Sequence, residues 1–226
     1  MFVDKEEVMR KLMTAVAAFA LLFALVPSGA MAAKKTANLT VVHGVPGVTV
    51  DVYVNGDSTP VLTDFEPGDQ AGPLELPAGA YSVQIRPAGA DSGSTPIIEG
   101  SFTLLPNRNF SAVAHLEEDG DPRLTVFQDP RNKPGRKSAR LIVRHTAAAP
   151  PVDIVSGKKT LIANLTNPQA ARRQLRAGTY PVKIVASGTE ITAFEADLKL
   201  KARTTYSVYA IGSLEDDTFE VLVFTS

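Results

Sequence analysis

The chain repeats itself, and the repeat limits the possible folds more than any other feature. Ala37-Asn38-Leu39-Thr40-Val41-Val42-His43 returns 102 residues later as Ala139-Arg140-Leu141-Ile142-Val143-Arg144-His145. At the same spacing Val50-Asp51-Val52 returns as Val152-Asp153-Ile154. Ala78-Gly79-Ala80-Tyr81 returns 99 residues later as Ala177-Gly178-Thr179-Tyr180, and Val126-Phe127 returns 97 residues later as Val223-Phe224. The segments keep their order and the offset drifts by only a few residues. A period of this length is too long for a solenoid and suits a whole domain. The repeat places domain 1 at 33–129 and domain 2 at 139–226. Between them, residues 130–138 hold Pro, Gly and four cations with no apolar side chain, the composition of a solvated linker.

Inside each copy the hydrophobic period is two. Leu39, Val41 and His43 share one face of a strand, and Val50, Val52 and Val54 share a face of the next. Asn55-Gly56, Pro67-Gly68, Ala78-Gly79 and Asp119-Gly120 punctuate the runs as turns. Helical periodicity is missing, except that residues 167–174 suit one short turn of helix. The expected fold class is all-β: two tandem immunoglobulin-like β-sandwich domains of some seven short strands each. With no cysteine in the chain, each domain must be held by its core rather than by disulfides. Leu76 to Tyr81 and Leu175 to Tyr180 carry the pattern of a tyrosine corner. In that motif a phenol at a strand start hydrogen-bonds the backbone a few residues upstream.

The first 32 residues read as an export signal. Arg10-Lys11 is the positive end, Leu12 to Val26 the apolar run, and Ala30-Met31-Ala32 the small-residue cleavage site. Met9 makes the more ordinary start, because Asp4, Glu6 and Glu7 dilute the positive charge ahead of it. Cleavage after Ala32 leaves no cysteine for a lipid anchor, and the mature chain is expected to carry no transmembrane anchor. The expected location is outside the cytoplasm: extracellular, or periplasmic if the cell has an outer membrane.

Three stretches, 37–56, 61–85 and 139–155, resemble the bacterial domain-of-unknown-function family 4397. The resemblance covers most of domain 1 and the first strands of domain 2, which departs from it at Thr166 to Arg176. It implies secreted or envelope-attached tandem β-domains and says nothing about chemistry.

No nucleophile elbow, phosphate-binding glycine loop or His-Glu-x-x-His motif is present. The repeated polar pairs His43 with Asp51 and His145 with Asp153 are the candidates for function. If their strands lie close, each pair suits proton transfer or metal binding. The competing reading is that each pair ties a loop down at the edge of its domain. His115 would complete a two-His-one-carboxylate set with His43 and Asp51, but the second copy has no counterpart for it. The acidic runs 117–121 and 215–217 could offer oxygens to calcium, although their spacing matches no calcium loop. The expectation is therefore a non-catalytic binding or surface-interaction protein with no catalytic residues, metal or cofactor. The alternative is a hydrolase or metal-dependent enzyme built on the His-Asp pairs.

Charge is uneven along the chain. Residues 33–129 carry a net −8, the linker +4 and residues 139–226 +3. Arg136, Lys137, Arg172, Arg173 and Arg176 are the candidate basic surface. It suits an anionic cell-wall polymer or an envelope protein. Nucleic acid is not expected, because the chain is exported and no aromatic residues interleave the cations. The sequence leaves open the oligomeric state and whether the two domains dock.

Overall fold

The computed structural model describes residues 35–226, so the expected export signal lies outside the described residues. Domain 1 is built from β1 (Thr36–His43), β2 (Val50–Val54), β3 (Leu62–Phe65), β4 (Gln70–Pro77), β5 (Gly79–Pro87), β6 (Ile98–Leu104), β7 (Asn109–Leu116) and β8 (Pro122–Asp129). Domain 2 repeats the series as β9 (Ser138–His145), β10 (Val152–Ser156), β11 (Lys159–Leu165), β12 (Gln169–Arg176), β13 (Gly178–Ala186), β14 (Thr192–Leu200), β15 (Thr205–Ile211) and β16 (Glu220–Thr225). The described residues form no helix, and the helical turn expected over 167–174 is replaced by β12. That segment pairs residue for residue with β9, from Gln169↔His145 to Arg176↔Ser138, and cross-strand pairing outweighs its mixed local propensity.

Each domain is a sandwich of two four-stranded sheets, ordered β4-β1-β7-β8 over β3-β2-β5-β6 in domain 1 and β12-β9-β15-β16 over β11-β10-β13-β14 in domain 2. The immunoglobulin-like sandwich architecture holds, with eight strands where some seven were expected. The strand order differs from that of an antibody constant domain, in which the first two strands share a sheet. Here β1 and β2 lie in opposite sheets, and β1 pairs in parallel with β7, as β9 does with β15. Both tyrosine corners are present: the Tyr81 hydroxyl donates to the Pro77 carbonyl at 2.7 Å and the Tyr180 hydroxyl to the Arg176 carbonyl at 3.1 Å. In domain 1 the β1–β4 register shifts between Leu39 and Val41. Gly72 occupies that irregularity at φ 107°, where an added Cβ would sit 2.6 Å from the Leu39 carbonyl oxygen, so only glycine fits.

The two sandwiches are docked. The outer face of the β1 sheet, with Val42, Val113 and Phe127, packs on the outer face of the β9 sheet, with Tyr209, Ile211, Leu222 and Phe224. Four sheets therefore stack in one direction. The contact is pseudo-symmetric: Val42 pairs with Val113 across β1 and β7, and Arg144 pairs with Tyr209 at the same place in the repeat. Gly44 is part of the close approach, since a Cβ there would meet the Ile211 side chain at 2.8 Å. Val42 and Val113 are fully buried. Each contributes about 1.5–3 kcal/mol relative to an exposed position.

The interiors differ. Domain 2 has one continuous core, in which Leu141, Val143, Ile154, Ile184 and Val208 all take part. The core of domain 1 divides into two clusters, one around Val50, Val52 and Ile85 and the other around Leu39, Leu76 and Phe110. The open edges differ as well. β6 lies against β8 in domain 1, whereas β11 lies against β12 in domain 2.

Candidate functional site

The His-Asp pairs are placed by the repeat itself: the histidine ends β1 or β9, and the aspartate lies on β2 or β10. His43 Nε2 lies 2.8 Å from the Val48 carbonyl oxygen, and His145 Nε2 lies 2.9 Å from that of Pro150. A carbonyl only accepts, so each imidazole carries a proton on Nε2. Each ring thereby pins the loop between the first two strands of its domain. Nδ1 of both histidines is buried without a partner. Burial lowers the pKa of both rings, outweighing the carbonyl bonds that would raise it. His43 also stacks on Phe65, with ring centroids 5.9 Å apart.

The aspartates take other partners. Asp51 accepts from the backbone N–H of Asp64 and of Gly89, both at 3.0 Å. Asp153 accepts from the Asn164 N–H at 2.7 Å and the Ser187 hydroxyl at 2.6 Å. These two bonds, the Asn164 one foremost, hold the Asp153 carboxyl below its ordinary pKa. Asp64 and Asn164 sit at equivalent bends with φ of 50° and 49°. Each carboxylate thus fixes a left-handed bend in the third strand and the loop after the fifth. In both copies the histidine and the aspartate are hydrogen-bonded to different loops rather than to each other.

His115 is fully buried, with Nδ1 2.8 Å from the Leu116 carbonyl oxygen and Nε2 2.8 Å from the Thr125 hydroxyl. Both nitrogens are engaged within its own hairpin, and burial lowers its pKa. Among the described residues no three His, Asp or Glu side chains are grouped to hold a metal ion, so His43, Asp51 and His115 do not assemble as a ligand set. The acidic hairpin of domain 1 is tied up internally. Glu117 pairs with Arg123, and the Asp121 N–H donates to the Asp119 carboxylate at 3.2 Å.

The candidate basic residues Arg136, Lys137, Arg172, Arg173 and Arg176 are all exposed, but their roles divide. Arg172 reaches across to domain 1 and donates to the Gln128 carbonyl. Arg173 donates from Nε to the Leu161 carbonyl at 2.5 Å, bridging β12 to β11. Arg176 lies opposite Ser138 in the β9–β12 ladder, and the Ala177 N–H donates to the Lys137 carbonyl at 3.0 Å. Arg136, Lys137 and Arg176 therefore gather at one end of the sandwich. The pairing adds residues that sequence reasoning missed. The exposed Arg203 has its N–H on the Ser138 carbonyl at 2.8 Å, and exposed Lys158 and Lys159 occupy the β10–β11 turn at the same end. The acidic turns, 117–121 and 215–217, lie at the opposite end, after β7 and β15. Cations of the linker and domain 2 thus gather at one end, and the acidic turns of both domains lie at the other.

Sequence reasoning also missed the polar centre of the domain contact. Arg144, fully buried, pairs with Asp129, and its guanidinium lies 5.2 Å from the Phe127 ring centroid and 4.7 Å from that of Tyr209. Ser111 donates to Asp129 at 2.5 Å, and Tyr209 donates to Ser111 at 3.3 Å. Asn167 adds a clamp: its amide donates to the Leu116 carbonyl of domain 1 at 2.8 Å and the Ala147 carbonyl of domain 2 at 2.7 Å. The available signal was the run Leu141-Ile142-Val143, apolar on both strand faces, which marks a strand buried on both sides.

A model of DUF4397, a domain of unknown function, matches residues 37–155, just over half of the chain. No curated protein matches. Among solved structures the chain is similar to the Bacillus anthracis TIE protein, at 16% identity and a TM-score of 0.24. The match covers 78% of this chain and 33% of that one, so this chain spans about a third of that structure's length. Likeness at that level carries no function across. Among the described residues no helix is long and apolar enough to cross a membrane.

Proposed function

The chain belongs to the DUF4397 family of domains of unknown function, and on that footing we propose that it is a secreted, non-catalytic surface-interaction protein of the bacterial envelope or medium. One observation carries the non-catalytic reading. The two repeated His-Asp pairs, the groups best suited to chemistry, are engaged with the same backbone loops in both domains. A catalytic or ligating role would leave a histidine nitrogen facing solvent or a substrate. Here the unpartnered Nδ1 atoms are sealed inside, with His43 and His145 at most 1% exposed.

The basic pole supports an anionic partner, an acidic wall polymer before an acidic envelope protein. Arg136, Lys137, Arg176 and Arg203 are exposed, and among the described residues none of the four is in an ion pair. Exposed cations on an edge strand also discourage strand-to-strand aggregation, and β12 is an edge strand. A salt series on the full chain separates the two roles. The protein should be retained on purified anionic wall polymer at low salt. It should be released as the screening length falls from about 10 Å at 0.1 M to about 3 Å at 1 M. Replacing Arg136, Lys137 and Arg176 together with Glu should abolish retention, with Arg172 and Arg173 left to their structural bonds. If the wild-type protein passes straight through, the pole binds no such polymer and its charges serve solubility and edge protection alone.

A further inference from the structure

We infer that domain 1 takes the end of an unbranched aliphatic chain into the space between its two sheets, entering at the edge where β3 and β4 part. The space, about 80 Å³, lies in the interior where the core of domain 1 divides into two clusters. Leu39, Val52, Phe65, Leu74, Ile85 and Phe102 are among the side chains around it. Of the lining residues only His43 and Tyr81 carry polar side-chain atoms. The Tyr81 hydroxyl is engaged by Pro77 and the His43 Nε2 by Val48, which leaves the His43 Nδ1 as the one unpartnered side-chain polar atom of these two residues. A polar guest would lose its water for at most one replacement hydrogen bond, to the His43 Nδ1, so the space favours hydrocarbon. A cavity of about 150 Å³ lined by similar residues stays dry and admits benzene. A space about half that size suits a slimmer guest, a chain end of a few methylenes.

The entrance is identified by comparison with domain 2. At β4, Leu74 stands opposite Leu39 of β1; at β12, Arg173 stands opposite Leu141 of β9, the same place in the repeat. Both positions lie on the core side of their edge strands, because Leu76 and Leu175 two residues on belong to the cores; Leu74 is half-buried there, whereas the exposed Arg173 reaches back along the edge. In domain 2 the arginine donates to the Leu161 carbonyl and draws β12 onto β11. In domain 1 the leucine offers no such bond, and β4 and β3 stay apart with half-buried Leu62 and Leu74 flanking the gap. A chain end can pass between them while its polar head remains in water. This site lies away from the basic pole and stands independently of the polymer reading.

The test uses the full-length chain with labelled methyl groups, titrated with octanoate and, separately, with acetate. Octanoate should shift the Leu74, Val52 and Ile85 methyl resonances saturably and leave those of Ile154, Ile184 and Val208 in domain 2 unmoved. Acetate, with the same carboxylate and no chain, should shift none of them. Leu74→Arg, which introduces the closing guanidinium of domain 2, should weaken octanoate binding at least about tenfold, the equivalent of 1.4 kcal/mol. Should Leu74→Arg fail to fold, Ala112→Val, which fills the same space from β7, should cause the same loss. The inference is overturned by any of four results: no saturable shift, equal shifts with acetate, equal shifts in both domains, or full binding in the folded variants.

Discussion

At the edge of domain 1 formed by β3 and β4, the core-side position is Leu74, and the two strands stay apart. At the matching edge of domain 2 that position is the exposed Arg173, and its guanidinium ties β12 to β11. The opposite edges reverse this, since β6 rests on β8 in domain 1. The two copies share strand order, loop anchors and tyrosine corners, yet each closes on a different side and only one has a continuous core. One edge residue, Arg173, bonds across to β11 where domain 2 is closed, and domain 1 has a leucine at that place.

The largest expected effect lies where the copies meet. Arg144→Ala removes a fully buried cation from between two aromatic rings and leaves Asp129 without its partner. Removing one member of a buried pair costs about 3–5 kcal/mol. Asp129 retains some exposure, so about 3 kcal/mol is expected here. Because Arg144 joins the domains, the loss should also separate their unfolding, so that calorimetry shows two transitions in place of one. A single unchanged transition would mean that the docked face adds nothing to cooperativity.

Acid should strain both copies alike. His43, His115 and His145 have pKa values lowered by burial from an unfolded value near 6.5. The unfolded chain therefore binds more protons than the native one below 6.5. Their contribution is present in full above that pH and is lost as pH falls through it toward the native values. Urea midpoints measured on either side of 6.5 should show the drop. His43→Gln keeps a donor for the Val48 carbonyl without a titrating ring, and it should shrink the drop. His145→Gln should do the same in domain 2. An unequal response would show that the two loops are not equivalent anchors.

The smallest effects separate the corners. Tyr81→Phe should cost about 1 kcal/mol, the net value of one hydrogen bond. Tyr180→Phe should cost less, because its bond is longer, 3.1 Å against 2.7 Å, and more exposed. Tyr81 also stacks on Phe102, a contact that the Phe variant keeps. Equal denaturation midpoints for both variants and the wild type would remove the corner bond from the account of stability.

The features legible in advance were those encoded by neighbours in the chain. Alternation at Leu39, Val41, Val50 and Val52 marks strands, because a pleated backbone turns successive side chains to opposite faces. Leu-x-Ala-Gly-x-Tyr marks the corner, because the bonded carbonyl lies only four residues away. The helical turn expected over 167–174 failed for the opposite reason. Gln169 to Arg176 has weak local preference, and its structure comes from β9, a partner distant in sequence.

The sequence by itself determined two copies of a β-sandwich and the residues able to bond. Only the tertiary structure decided what those residues bond to. His43 and Asp51 lie eight positions apart, yet each is held by a different loop, because strand order and not chain distance sets which carbonyls and N–H groups come within reach. Charge followed the same rule. Counted along the chain, it divides domain from domain. Once β1 and β9 are aligned and their faces docked, like ends lie together, and the cations of the linker, the end of β12 and the turn between β14 and β15 gather at one end with the acidic turns at the other. Composition fixes how much charge a chain carries, whereas long-range strand pairing fixes where that charge comes to rest.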